Sequence, residues 1–169
     1  MQALTSMFLI DPSFLNKDMP VVKGGYYLPF HVDHLDNFEG ITEYGDKSLS
    51  FEDRKHYIHF QSQVGPAVTA FVHGVPVAVF GCVIVWKGMG EAWALFSDQA
   101  RRYPIAMTKG AKAFFDACTR SYLLHRLQIT VKTVDKRAVN WAECLGFVVE
   151  GTMKEYSSDK QDFYMMRRT

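Results

Sequence analysis

Apolar residues fall into three kinds of pattern along this chain. From Ala67 to Val72, and again from Val77 to Trp86, they run almost unbroken, with a turn at His73-Gly74 between the two runs. Valine-rich runs of this length predict buried strands, here paired as a hairpin. Gly81 inside the second run predicts a bulge or a close backbone approach. From Met107 onward, Ala111, Phe114, Phe115, Cys118 and Tyr122 follow at spacings of 4, 3, 1, 3 and 4. That is one face of a helix, and Pro104 suits its first position, where a missing N–H costs nothing. In Leu127–Thr133 the pattern becomes alternation, which predicts a strand. Two last strands, about Val148–Tyr156 and Asp162–Arg168, follow around a turn at Ser157–Lys160.

The remaining segments complete the order. Residues 1–25 read as irregular, with Asp11-Pro12, Met19-Pro20 and Gly24-Gly25 as breakers. They form an N-terminal extension to one domain over residues 26–169. Tyr26–Phe30 predicts a first strand, and Asp33 caps a short helix through about Phe38. After a polar loop at 39–50, Phe51–Val64 predicts a helix with Phe51, Tyr57, Ile58 and Phe60 as apolar contacts. A turn at Lys87–Gly90 leads into a strand at Glu91–Phe96. Asp135 caps a short helix that Gly146 ends, since glycine tolerates the left-handed conformation there. The sum is an α/β sandwich: a mixed, mostly antiparallel central sheet flanked by helices.

Composition narrows the class. The 169 residues suit one domain, and 48% apolar with 22% charged residues is a globular balance. Net charge is +1, but residues 1–100 carry 6 basic and 11 acidic side chains, while 101–169 carry 13 and 7. The C-terminal part is therefore a candidate to face something anionic, against the plain alternative of two solvated faces. Arg101-Arg102 and Arg167-Arg168 lack the aromatic interleaving of a nucleic-acid footprint, so no nucleic-acid partner is expected. Pro66–Trp86 has 21 residues without a charged side chain, but Gly74 and Pro76 interrupt it, and its seven valines favour two strands over a membrane helix. Met7–Ile10 is too short for a signal peptide. Cys82, Cys118 and Cys144 have no framework spacing and read as free, mostly buried thiols in a reducing, cytoplasmic setting. His31/His34 and His56/His59 share a helical face, yet no further ligands converge in the sequence, so no metal is expected. Cys144 stands beside Glu143, which disfavours a thiolate nucleophile.

The element order and the run Ala138-Val139-Asn140-Trp141-Ala142-Glu143-Cys144-Leu145-Gly146-Phe147-Val148-Val149-Glu150-Gly151 resemble the GCN5-related N-acetyltransferase (GNAT) superfamily, over roughly residues 26–168. In particular, Glu91-Ala92-Trp93-Ala94-Leu95-Phe96-Ser97 looks like the divergent acetyltransferase-like proteins of tailed bacteriophages. The resemblance implies a GNAT-like fold and transfer of an acyl group from acetyl-CoA or another acyl-CoA to an amine by direct attack on the thioester. It implies that strand backbone at Leu95 and Phe96 aligns the pantetheine arm. The stretch Arg101-Arg102-Tyr103-Pro104-Ile105-Ala106, with Met107, corresponds to the family's pyrophosphate loop, where backbone amides at a helix start bind phosphate.

This sequence departs from the family in ways that bear on activity. Pro104 stands where the first loop glycine belongs, removing an amide and adding bulk, which Arg101 and Arg102 compensate by charge. Ala142 stands where many relatives carry a tyrosine acid, and Asp135 replaces a frequent asparagine. Tyr103 is either a substitute acid or a stacking residue. Glu91 is the best-placed catalytic base, against the plain reading of an exposed strand-end carboxylate. The implied partners are a small-molecule or protein amine, with no membrane and with a homodimer left open. The alternative is a catalytically degenerate domain on the same scaffold, acting as a virion component or a binder of a host protein.

Overall fold

The computed structural model of the chain describes residues 12–18, 22–36, 38 and 48–168. Met7–Ile10, the Met19-Pro20 breaker and most of the polar loop, at 39–47, lie outside the described residues. Within them, seven strands form one sheet: β1 (Gly25–Pro29), β2 (Ala67–Val72), β3 (Val75–Trp86), β4 (Met89–Phe96), β5 (Arg126–Lys132), β6 (Val148–Met153) and β7 (Phe163–Arg168). Their order is β1-β2-β3-β4-β5-β7-β6. Every neighbouring pair is antiparallel except β4 with β5. The helices are α1 (Ser13–Asp18), α2 (Phe51–Gln63), α3 (Pro104–Ser121) and α4 (Lys136–Cys144). This is the single-domain α/β sandwich that the patterning predicts.

The sheet carries a core on each face. The larger one joins Phe80, Ala92, Leu127 and Met166 of the strands to Met107, Ala111, Phe114, Phe115 and Cys118 of α3, and to Val139 and Ala142 of α4. The predicted stripe of α3 is therefore its buried face, while Tyr122 is half-buried at its end. The smaller core joins Val79, Trp93 and Leu95 to Ile58 of α2 and to Leu35 and Phe38. β2, β3 and β4 thus have apolar cover on both sides, which is why their sequences run apolar instead of alternating. α4 is capped as expected, Asp135 Oδ1 accepting from Ala138 N at 3.0 Å. Gly146, at φ +91, ends it in a conformation that disfavours other residues.

Four local expectations are corrected. Residues 13–18 are helical, because Leu15 is fully buried and Asn16 closes the sheet's first edge. Asn16 Oδ1 accepts from Tyr27 N at 2.8 Å and its Nδ2 donates to Tyr27 O at 3.2 Å, occupying an edge strand that would otherwise present open backbone. The short helix near residue 33 is a 3-10 turn, Val32–Leu35, capped by His31 rather than Asp33. There the His31 ring accepts from Asp33 N while His31 N donates to the His34 ring. In α2, Ile58 is buried, but Phe51, Tyr57 and Phe60 are exposed, and Arg54 and Gln61 take buried positions. Finally, Gly81 makes room for a side chain. A Cβ there would lie 2.0 Å from the Trp93 ring, and the register shift between β2 and β3 falls at Ala70/Phe71 instead. Of the cysteines, Cys82 and Cys118 are buried and Cys144 is exposed.

Candidate active site

β4 and β5 pair over three residues only, Met89–Glu91 against Arg126–Gln128. Beyond Glu91, β4 stays paired with β3 as far as Phe96, and β5 stays paired with β7 as far as Lys132. The two strands therefore part into a wedge with Glu91 and Gln128 at its apex and Leu95 and Phe96 near its mouth. Among the described residues, no strand pairs with the edge of β4 that faces this wedge. A strand edge without a partner offers backbone groups to an extended ligand. Glu91 and Phe96 are about 17 Å apart at strand rise.

Around the mouth, each expected cofactor residue has a definite place. Leu95 is buried in the smaller core and its backbone pairs with Val79 of β3, the pattern continued by Ser97 N donating to Val77 O, so it is the Phe96 backbone that faces the wedge and the expectation for Leu95 is corrected. Phe96 is half-buried and meets the Trp141 ring edge-on, with centroids 4.9 Å apart. Trp141 Nε1 donates to Thr108 Oγ1 at 3.2 Å, and Thr108 Oγ1 donates to Pro104 O at 2.8 Å. The indole thus ties α4 and the end of β4 to the first turn of α3. After β4, Ser97 is buried and its Oγ has no hydrogen-bond partner among the described residues.

A 3-10 turn, Asp98–Arg102, then carries Arg101 and Arg102, both exposed and without an ion-pair partner among the described residues. Pro104 opens α3, and the Tyr103 side chain makes no cap hydrogen bond to it. The amides of Ile105 and Ala106 therefore point out of the helix start without a side-chain acceptor. Ala106 is half-buried beside them. Tyr103 is half-buried against the larger core and Met107 is buried in it, and their amides donate to Ala100 O and Tyr103 O, so neither offers a free amide at the helix start. Asp135 is exposed and acts as the α4 cap, and no described contact joins it to the wedge. Ala142 is 1% exposed, its methyl inside the core.

From the open edge of β4 the chain runs on through Ser97, whose hydroxyl lacks a partner among the described residues, then Arg101 and Arg102, without ion pairs among them, to the outward amides of α3, a set of groups that suits a phosphate-bearing extended ligand. Pro104 occupies the N-terminal position without disturbing the helix. The residues present fit an acyl-CoA.

At the apex, Glu91 is half-buried and Oε2 accepts from Gln128 Nε2 at 3.1 Å. The Tyr57 phenol of α2 is pushed up, first by burial and then by the neighbouring Glu91 and Tyr156. Tyr57 therefore lies within electrostatic reach of both Glu91 and Tyr156. Gln128 Oε1 in turn accepts from Arg126 Nε at 3.0 Å. Sequence reading missed Gln128, Arg126, Glu150, Tyr57 and Tyr156. A signal existed in β5, where Arg126, Gln128, Thr130 and Lys132 are polar at alternate positions, but the pairing that brings Gln128 to Glu91 is not written in it.

No family model matches the chain, and no curated protein does. Solved structures do match in shape. A GNAT-family acetyltransferase from Streptococcus pneumoniae is 18% identical, with TM-score 0.66, covering 85% of this chain and 98% of its own. The yncA protein of Salmonella typhimurium, solved with its cofactor acetyl-CoA, is 12% identical, with TM-score 0.69 and coverage of 87% and 94%. The RimL ribosomal L7/L12 alpha-N-protein acetyltransferase, solved with coenzyme A, is 15% identical, with TM-score 0.70 and coverage of 89% and 96%. The fold of this chain is the GNAT fold.

Proposed function

We propose that the protein is an acyl-CoA-dependent N-acyltransferase that moves an acetyl or related acyl group to an amine. The observation that carries this reading is the wedge, whose open β4 edge leads from Glu91 to the outward amides of α3. The co-substrate supplies the activated thioester. Arg101, Arg102 and the Ile105 and Ala106 amides would hold its phosphates, and the backbone of Phe96, turned away from β3, its extended arm. Ser97 Oγ would gain a partner there. Glu91 would accept the proton of the incoming ammonium, directly or through water. The open face of β5, β7 and β6 leaves room for a small-molecule or protein acceptor.

Ala142 favours a second reading, because it supplies no proton to a leaving thiolate. On that reading the domain is catalytically degenerate and serves as a virion component or a binder of a host protein. Calorimetric titration with acetyl-CoA and coenzyme A separates the two. Saturable binding that Arg101→Ala/Arg102→Ala loses is the expected result. No heat at millimolar ligand overturns the acyltransferase reading and leaves the second.

A further inference from the structure

A continuous hydrogen-bonded chain crosses the open face of the sheet and ends on Glu91. Register places Glu91 opposite Gln128, and Gln128 opposite Arg167. Arg126 donates to Gln128 through Nε, and through Nη1 and Nη2 to the two oxygens of Glu150, at 3.1 and 2.5 Å. Arg167 Nε stands 2.9 Å from Glu150 Oε1. Glu150 is the extra residue where the β6–β7 register shifts between Val149 and Gly151. Such a bulge re-aims a side chain, here back toward β5.

The chemistry of this chain fixes its direction. A guanidinium only donates, so the Gln128 oxygen must face Arg126 and its NH2 group must face Glu91. A flipped amide would set donor against donor at Arg126 and oxygen against carboxylate at Glu91. Gln128 is also buried, so an unmet amide there is costly. We infer that Arg126 is a positioning residue for Glu91, acting through Gln128, with Glu150 and Arg167 holding the guanidinium plane. The inference rests on the reading of Glu91 as the base at the apex of the wedge. Its consequence is that the carboxylate is oriented from β6 and β7, across the only parallel junction in the described sheet.

Carboxyl 13C NMR tests the link without an acceptor. The Glu91 signal is identified by its loss in Glu91→Gln. Arg126→Met and Arg126→Lys should each move it by more than a linewidth, since lysine keeps the charge but lacks the fork. Lys154→Ala, in an exposed ion pair with Asp162, should leave it in place. With spermidine and a lysine peptide as probe amines, Arg126→Met should lower kcat about 10-fold with the acetyl-CoA KM unchanged. An unmoved Glu91 signal in Arg126→Met overturns the inference, and so does a loss of rate expressed only in the acetyl-CoA KM. If neither amine reacts with the wild type, the carboxyl signal decides alone. Absence of acetyl-CoA binding in the wild type would remove the acyltransferase reading instead, whatever that signal does.

Discussion

The two halves of the sheet, divided where β4 meets β5, are built on different principles. β2, β3 and β4 lie between two apolar cores, and residues such as Phe80, Val79 and Trp93 fill both faces. β5, β7 and β6 bury one face only. Leu127, Val131 and Met166 point into the larger core, while Arg126, Gln128, Arg167 and Glu150 hold the other face with hydrogen bonds and ion pairs. Most of the C-terminal excess of basic residues lies before this second half, since residues 101–121 carry 5 basic and 1 acidic side chains and residues 122–169 carry 8 and 6. What the difference teaches is a division of labour: the doubly covered half supplies stability, and the singly covered half leaves a polar face beside the wedge where chemistry has access.

The sharpest test of that division removes apolar volume on the shared α3. Phe114→Ala, at a fully buried position, should cost about 4 kcal/mol in urea unfolding. A loss under about 1 kcal/mol would show that the core is not where stability resides. Next comes Gly81→Val in the covered half. Its side chain would collide with the Trp93 ring, and overpacking should cost about 2–3 kcal/mol and shift tryptophan emission. If stability holds, the indole is not fixed against β3.

The link between α3 and the open half should be weaker. Asp116 pairs with Arg168, whose guanidinium also lies over the Phe147 ring, 5.9 Å from its centroid. Asp116→Ala strands a largely buried guanidinium and should cost about 2 kcal/mol. Acid should act at this link and on the open face. Burial pushes Asp116 up, but Lys112 and Arg168 more than offset it and hold it below its ordinary 3.8. The Arg126 hydrogen bond holds Glu150 below its ordinary 4.5. Depressed folded values mean that both contributions are complete above the ordinary values and vanish as pH falls through the lowered ones. Urea midpoints should therefore fall as pH drops below about 4.5, and fall less in an Asp116→Asn/Glu150→Gln variant. An equal fall in both proteins would assign acid sensitivity to other groups.

The smallest effect on stability is expected at Glu150 alone. Its ion pairs are half exposed, so Glu150→Gln should shift Tm by less than about 2 °C, and added salt should erase the shift. A larger change would give the open face a structural weight that its exposure does not predict.

Much of the architecture could be read from the chain because its causes are local. Unbroken apolar runs at Ala67–Val72 and Val77–Trp86, the α3 stripe beginning at Met107, Pro104 at a helix start and Gly146 past a helix end each depend on residues within a turn or two. The corrections fall where distant partners intervene. Nothing near Leu15 in sequence shows that β1 needs an edge cover, and nothing near Gly81 shows that Trp93 will occupy its space. Exposure of Tyr57 and Phe60 likewise follows from which face of α2 meets the sheet.

The candidate site divides in the same way. Glu91, Arg101, Arg102 and the start of α3 stand out in the sequence, because strand ends, charge pairs and helix caps are written in neighbouring residues. The wedge itself, the Trp141 contact with Phe96 and Thr108, and the chain from Arg167 and Arg126 to Glu91 were decided by tertiary structure alone. Strand register and the parting of β4 from β5 set which side chains meet, and they arise from packing whole elements together. A sequence read in order lays down the elements, whereas a hydrogen bond between residues 91 and 128 exists only once the sheet has closed between them.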